Sequence, residues 1–282
     1  MRRGLLILAA ALCIAPSSQA ASLRSMVAAE YAFAKSADDN GMRFAFIEYL
    51  ADDAISFEPG PVRIRSRWQE RPPRKDSLTW YPVRAEINVA GDLGFTTGPY
   101  TYTMKGSGDV AHGDFITVWR YREPDGWRVV FDSGVIVEAP RKPAAPLKAE
   151  SVSARVPPNV AADATAQSAL ESCDDRYGAL LQQHGEAAAV AGFGRRDLRV
   201  YVVGQAPAED RKAALKVVAG FTEPQSQHRS FAGTGASPDF GYTYGDVEFL
   251  KPAPQHYLRI WRMKAGRCEL ALELMHPQQP KP

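Results

Sequence analysis

One pattern in this chain occurs twice, and it constrains the fold more than any other feature. From His112 to Asp132 the sequence HGDFITVWRYREPDGWRVVFD alternates β-branched and aromatic residues on both sides of Glu123-Pro124-Asp125-Gly126. Alternation around turn-forming residues predicts a strand, a tight turn and a returning strand. The pattern returns near the C-terminus as HYLRIWRMKAGRCELALELMHP, from His256 to Pro277.

The stretches upstream of the two hairpins agree as well. Residues 23–37 predict a helix with Met26, Val27, Ala29, Tyr31 and Phe33 at its apolar positions. Gly41 breaks it, and 42–50 predict a second helix that stops at Asp52-Asp53. A short strand over 54–58 is closed by Pro59-Gly60-Pro61, a strong stop signal. An irregular basic and aromatic stretch, 62–82, precedes a meander of strands over 83–89, 93–104 and the two halves of the hairpin. An offset of 144 carries Gly41 onto Gly185, Asp53 onto Asp197, Phe57 onto Tyr201 and Gly60 onto Gly204 without a gap. The offset becomes 147 where Asp92-Leu93-Gly94-Phe95-Thr96 meets Asp239-Phe240-Gly241-Tyr242-Thr243, and 142 where Trp119-Arg120 meets Trp261-Arg262. Loop insertions and deletions between equivalent elements produce such drift. Residues 208–219 predict a further helix in the second half, whereas Pro72-Pro73 interrupts its counterpart in the first. Between the halves, 138–164 carry five prolines among alanines and charges, the composition of a semi-extended linker. The expected organisation is therefore a domain over 22–138, a linker over 139–164 and a second domain over 165–278.

Arg2 and Arg3 precede an apolar run over 5–15, and Ser18-Gln19-Ala20 supplies small residues for cleavage. These are the parts of a secretory signal over 1–20, so the expected location is periplasmic or secreted. The bulky Leu12 before Cys13 argues against a lipoprotein. No later run approaches the roughly 20 apolar residues of a membrane span, so no membrane association is expected after cleavage. A net charge of +2 without a basic stripe gives no footprint for nucleic acid. With 45% hydrophobic and 10% aromatic residues there is material for two cores. Cys173 and Cys268 remain after the signal. An oxidising compartment permits them to pair, while the helical spacing of Leu170, Cys173 and Tyr177 equally suits a small core residue.

Two helices, a short strand ending near Pro-Gly, and a sheet whose last hairpin carries Val118-Trp119-Arg120 and Asp125-Gly126-Trp127 resemble the nuclear transport factor 2-like superfamily. Ketosteroid isomerase and SnoaL-like cyclases belong to it. The resemblance implies an α+β fold of two tandem cone-shaped domains, each with helices packed in the concave face of a curved, mostly antiparallel sheet. It also implies a ligand-holding hollow in the cone and a packing of the two sheets as an intramolecular pseudo-dimer. The segment over 51–59 is similar to the ketosteroid isomerase segment that ends in its catalytic carboxylate, and Glu58 takes that place. Asp114 falls where that family has the protonated aspartic acid of its oxyanion hole. The family's tyrosine falls on Ala34, with Tyr31 one turn away, and the second half has Val202 and His256 in place of the two carboxylates.

Proton abstraction beside a carbonyl needs a base and a donor to the enolate oxygen, and Glu58 and Asp114 are the candidate catalytic pair. Asp114 would need an apolar site to hold its proton at neutral pH. Phe57, Trp68, Trp80, Tyr100 and Tyr102 are the candidate ligand-binding residues, suited to a small apolar ligand. Trp119 and Trp261 are assigned to packing, and Asp132 and Glu273 to strand ends. His112 and Asp114 fall short of a metal's three or four ligands. No phosphate loop or Gly-x-Ser-x-Gly elbow is present, and no cofactor or metal is expected. The expected function is ligand binding or assembly by an exported protein, the alternative being an isomerase, lyase or cyclase acting on a hydrophobic carbonyl compound with the first domain's carboxylates.

Overall fold

A computed structural model describes residues 21–138, 144–155 and 161–278; the proposed signal over 1–20 lies outside them. The first domain opens with α1 (Leu23–Asn40), whose N-cap Ser22 accepts from the Ser25 amide in a capping box with the Ser25 side chain. Gly41, at φ +85°, ends α1 and starts α2 (Met42–Tyr49), and Gly185, at φ +84°, does the same between α4 (Ala166–His184) and α5 (Glu186–Phe193). Only glycine adopts that conformation without strain, which is why the break is legible in both halves.

From α2 the chain enters β1 (Leu50–Phe57) directly. Asp52 and Asp53, expected to stop the helix, are instead exposed positions inside the strand. Asp52 pairs with Arg65 at 2.5 Å and Asp53 with Arg122 at 3.1 Å, and a register shift between Leu50 and Ile55 accommodates them. The stretch over 62–82 is not irregular. It holds β2 (Pro61–Arg63), α3 (Ile64–Glu70) and β3 (Ser77–Trp80). The proline pair Pro72-Pro73 follows α3 rather than interrupting it, so α3 is the counterpart of the second domain's α6 (Arg211–Val218). Strands β4 (Arg84–Ile87), β5 (Leu93–Thr103), β6 (Val110–Arg122) and β7 (Gly126–Val137) complete a sheet of order β2-β1-β7-β6-β5-β3, with β4 also on β5. The second domain orders β8 (Gly194–Val202), β9 (Thr222–Thr234), β10 (Phe240–Lys251), β11 (Gln255–Lys264) and β12 (Arg267–Pro277) as β8-β12-β11-β10-β9. In each sheet the strand after the helix pair runs parallel to the last strand, and the other pairings are antiparallel. Each domain is thus an α+β unit with helices on one face of its sheet.

The opposite faces of the two sheets meet. Phe95 stacks on Phe240 at 6.2 Å, and Phe57 and Phe131 both contact Tyr244. Leu258, Ile260, Leu272 and Leu274 join Ile116 and Val118 in one apolar cluster. At its rim Glu86 accepts from Arg84, Arg195 and Arg262, joining both domains. Burial would raise the Glu86 carboxyl, but the guanidinium charges of Arg262, Arg84 and Arg195 outweigh burial and hold it at about 2.

Of the linker, residues 144–155 lie along the first domain, while the Asp163 amide donates to Ala236 of the second at 3.0 Å. The Arg24 amide donates to Ser153 at 3.0 Å, Leu147 to Pro82 at 2.8 Å and the Tyr31 hydroxyl to Leu147 at 3.1 Å. Cys173 and Cys268 form a disulfide with Cα atoms 5.6 Å apart, tying α4 to β12. Among the described residues no helix is long and apolar enough to cross a membrane.

Candidate ligand site

A buried carboxylate fixes the helix pair to each sheet. Glu30 on α1 is fully buried and accepts from Trp80 Nε1 at 2.6 Å, Trp119 Nε1 at 2.9 Å and the Thr96 hydroxyl. Burial raises its proton affinity against these three hydrogen bonds. The second domain repeats the arrangement with Asp174, which accepts from Thr243 at 2.9 Å, while Trp261 donates to Thr243 at 3.0 Å. The two strand tryptophans are therefore packing residues that also carry a hydrogen bond.

Above this network the first domain contains a cavity of about 310 Å³. Phe57, Trp68, Trp80, Tyr100 and Tyr102 all line it, and so does Glu58. Phe46 stacks on Trp68 at 4.4 Å and Phe33 meets Trp80 edge-on at 4.9 Å, so the wall is a packed aromatic surface. The Tyr100 ring lies over Gly113 and Gly134: a Cβ at Gly113 would come within 2.3 Å of Tyr100 Cζ. Burial, reinforced by the charge of Asp114, pushes the Tyr100 hydroxyl up to about 12, which leaves it a hydrogen-bond donor at any ordinary pH.

Like Glu58, Asp132 is one of two carboxyls that line this cavity. It lies in the middle of β7, not at a strand end, opposite Thr117, whose hydroxyl donates to it at 2.9 Å. Burial pushes its carboxyl up to about 7, with the Thr117 hydrogen bond opposing and the charges of Glu30 and Glu58 adding to the rise. At the rim, Glu58 forms an ion pair with Arg71, whose guanidinium sits 4.6 Å from the Trp68 ring.

Asp114 is not part of this site. Phe115 and Thr117 face the cavity, so the strand's alternation turns Asp114 to the other side, toward the second domain. It is fully buried there, and its charge raises the proton affinities of Arg199 and Tyr201 alongside larger influences. The structure thus brings Glu58 together with Asp132 and separates it from Asp114.

In the second domain the positions equivalent to Phe33, Phe115, Thr117 and Asp132 hold Tyr177, Tyr257, Arg259 and Glu273, all buried against one another. Arg259 donates to Glu273 at 2.7 Å, to Asp174 at 3.2 Å and to Gln227 at 2.8 Å, between the Tyr177 and Tyr257 rings at 4.0 Å each. Although Val202 and His256 replace Glu58 and Asp114, this domain has not lost its carboxylates: Asp174, Glu186 and Glu273 are all buried in it. Among the described residues no group of three or more metal-ligating side chains is placed to hold an ion.

No protein-family model matches the chain, and neither does any curated protein. Similar solved structures include an NTF2-like protein from Cytophaga hutchinsonii, with 11% identity and a TM-score of 0.32, covering 39% of this chain and 96% of that one. Nuclear transport factor 2 from Cryptosporidium parvum has 11% identity and a TM-score of 0.33, over 42% of this chain and 98% of that one. A CaMKII hub from S. rosetta has 15% identity and a TM-score of 0.33, over 44% of this chain and all of its own length. The first two carry the name of the superfamily that the sequence resembles, and each match spans about one domain's share of the chain.

Proposed function

We propose that the first domain binds a small, mostly apolar molecule bearing an oxygen acceptor, and that the second domain is its structural partner in an exported protein. The observation that carries this is the aromatic cavity of about 310 Å³ with the carboxyl of Asp132 in its wall. A carboxyl whose proton comes off near pH 7 donates a hydrogen bond to a carbonyl or hydroxyl oxygen below that pH. Size also fits, since pockets for small molecules begin at roughly 300 Å³. Titration with octan-2-one, followed by quenching of tryptophan fluorescence, tests the reading, because Trp68 and Trp80 line the cavity. Saturable quenching is expected, and Thr117→Arg, which imitates the second domain, is expected to abolish it. Quenching that persists unchanged in that variant would place the ligand elsewhere.

The presence of Glu58 and Asp132 on one cavity favours a second reading, an isomerase, lyase or cyclase acting on a hydrophobic carbonyl compound. A base and a protonated acid facing one substrate are the minimum for enolisation. Exchange of the α-hydrogens of octan-2-one in D2O, read by NMR, tests it. Catalysed exchange should vanish in Glu58→Gln, and unchanged turnover would remove Glu58 as the base.

A further inference from the structure

Beside the aromatic cavity lies a second hollow of about 350 Å³, and Trp68 and Tyr102 form the wall between them. Its other lining residues are Met42, Arg43, Arg71, Pro72 and Arg74, three guanidinium groups and no carboxylate. Arg43 donates to the carbonyl oxygens of Arg71 at 2.9 Å and Gln69 at 2.8 Å. Those bonds fix the guanidinium in place without neutralising its charge. Arg71 is held over the Trp68 ring and pairs with Glu58. Arg74 is largely exposed and reaches Asp76 only at 3.9 Å, while Asp76 is engaged by the Tyr102 hydroxyl at 2.7 Å and the Lys105 amide at 3.1 Å. The hollow therefore holds positive charge in excess of its neighbouring carboxylates, two of its three guanidinium groups fixed in place, directly at the edge of an apolar cavity.

From this juxtaposition we infer that the ligand of the first domain is an amphipathic anion, its apolar body in the aromatic cavity and its carboxylate or phosphate head among Arg43, Arg71 and Arg74. The inference rests on the ligand-binding reading above and names the class of molecule. Guanidinium groups pair with carboxylate and phosphate oxygens in planar, two-pronged fashion, and such bonds are roughly twice as strong as neutral ones. The cavity accommodates about ten water-sized groups at ~30 Å³ each, the body of a medium-chain or single-ring compound. Glu58, which lines the aromatic cavity, bonds to Arg71 rather than standing as an unopposed negative charge in the anion's way.

Calorimetric titration of the full chain with octanoate, octyl phosphate and octan-1-ol tests the assignment. The three probes share a chain length and differ in the head. At low salt at least one anion should bind ten or more times tighter than the alcohol, and 0.5 M salt should shrink that preference because exposed charge is screened. Which anion binds tighter identifies the head group. Arg74→Gln should reduce the preference to about threefold or less while leaving the affinity for octan-1-ol unchanged, and Arg71→Gln provides a second test of the same point. If octan-1-ol binds as tightly as both anions, the head-group assignment is wrong and the ligand reading stands. Should the anion preference survive both substitutions, the head lies elsewhere and the assignment is again wrong. If none of the three binds, the ligand reading and the assignment fall together.

Discussion

Arg259 and Thr117 hold equivalent places in the two hairpins, and each donates to the carboxylate across from it: Arg259 to Glu273 at 2.7 Å, Thr117 to Asp132 at 2.9 Å. The long side chain closes its domain's interior against two tyrosine rings, and the short one leaves a cavity.

Removing Arg259 leaves buried Glu273 without its counter-charge and Asp174 with Arg229 alone, at 3.7 Å. Arg259→Met is expected to lower stability by about 3–5 kcal/mol, the usual result of breaking a buried ion pair on one side only. Urea unfolding measures it, and a loss below about 1 kcal/mol would show that the carboxylates are neutral without it.

Asp132 makes stability depend on pH in a definite direction. Its carboxyl holds a proton to about pH 7 in the folded protein and to about 3.9 when unfolded. Its contribution is therefore full below about pH 4 and is lost as pH rises toward 7. Asp132→Asn should stabilise the protein at pH 8 by about 2 kcal/mol relative to its effect at pH 4. That is less than the ~4 kcal/mol implied by ~1.36 kcal/mol per pH unit, because water reaches the cavity. Thermal melts of both proteins at the two pH values decide it; a pH-independent difference would mean that folding leaves the proton affinity of Asp132 unchanged.

Glu86 couples the domains through Arg195 and Arg262. Its depressed carboxyl adds stability above the ordinary carboxylate range, lost as pH falls through about 4 toward 2. Glu86→Gln is expected to weaken the contact by about 2–5 kcal/mol, as truncating one partner of a buried charge cluster does. Calorimetry should then resolve two melting transitions where the parent shows one, and a single unshifted transition would count against this coupling.

The disulfide between Cys173 and Cys268 closes a loop with a sequence separation of 95. Chain entropy for a loop of that size gives about 4.7 kcal/mol at most, and measured values are commonly 2–4. Cys173→Ala with Cys268→Ala should lower unfolding stability by that smaller amount. Equal denaturation midpoints for variant and parent would show that the packing of α4 on β12 suffices alone.

The repeated hairpin, the glycine breaks at Gly41 and Gly185, and the aromatic lining were legible because each is a local pattern. The inward carboxylate was not. Trp119 pairs with Val129 and Val118 with Phe131, so Val130 is an extra residue in β7. Strict alternation from Val129 turns Asp132 away from the interior; the bulge reverses that parity and turns it in. The second domain has the same irregularity, with Ala271 extra between Leu270 and Leu272. Glu30 was hidden differently, as one of several charges in an alanine-rich helix. The offset of 144 places Asp174 opposite it, and an acid at the same place in both copies was the available signal. Asp114 misled because its position along the strand matched a family site, whereas its face depends on which side the second sheet covers.

The difference between Thr117 and Arg259 also bears on why two such domains share one chain. In an assembly of identical chains any substitution appears in every copy, so filling one interior fills them all. Covalent tandem linkage frees each copy to change alone. One half can then be made solid and kept as a stiff support, while its twin stays hollow and free to change what it holds.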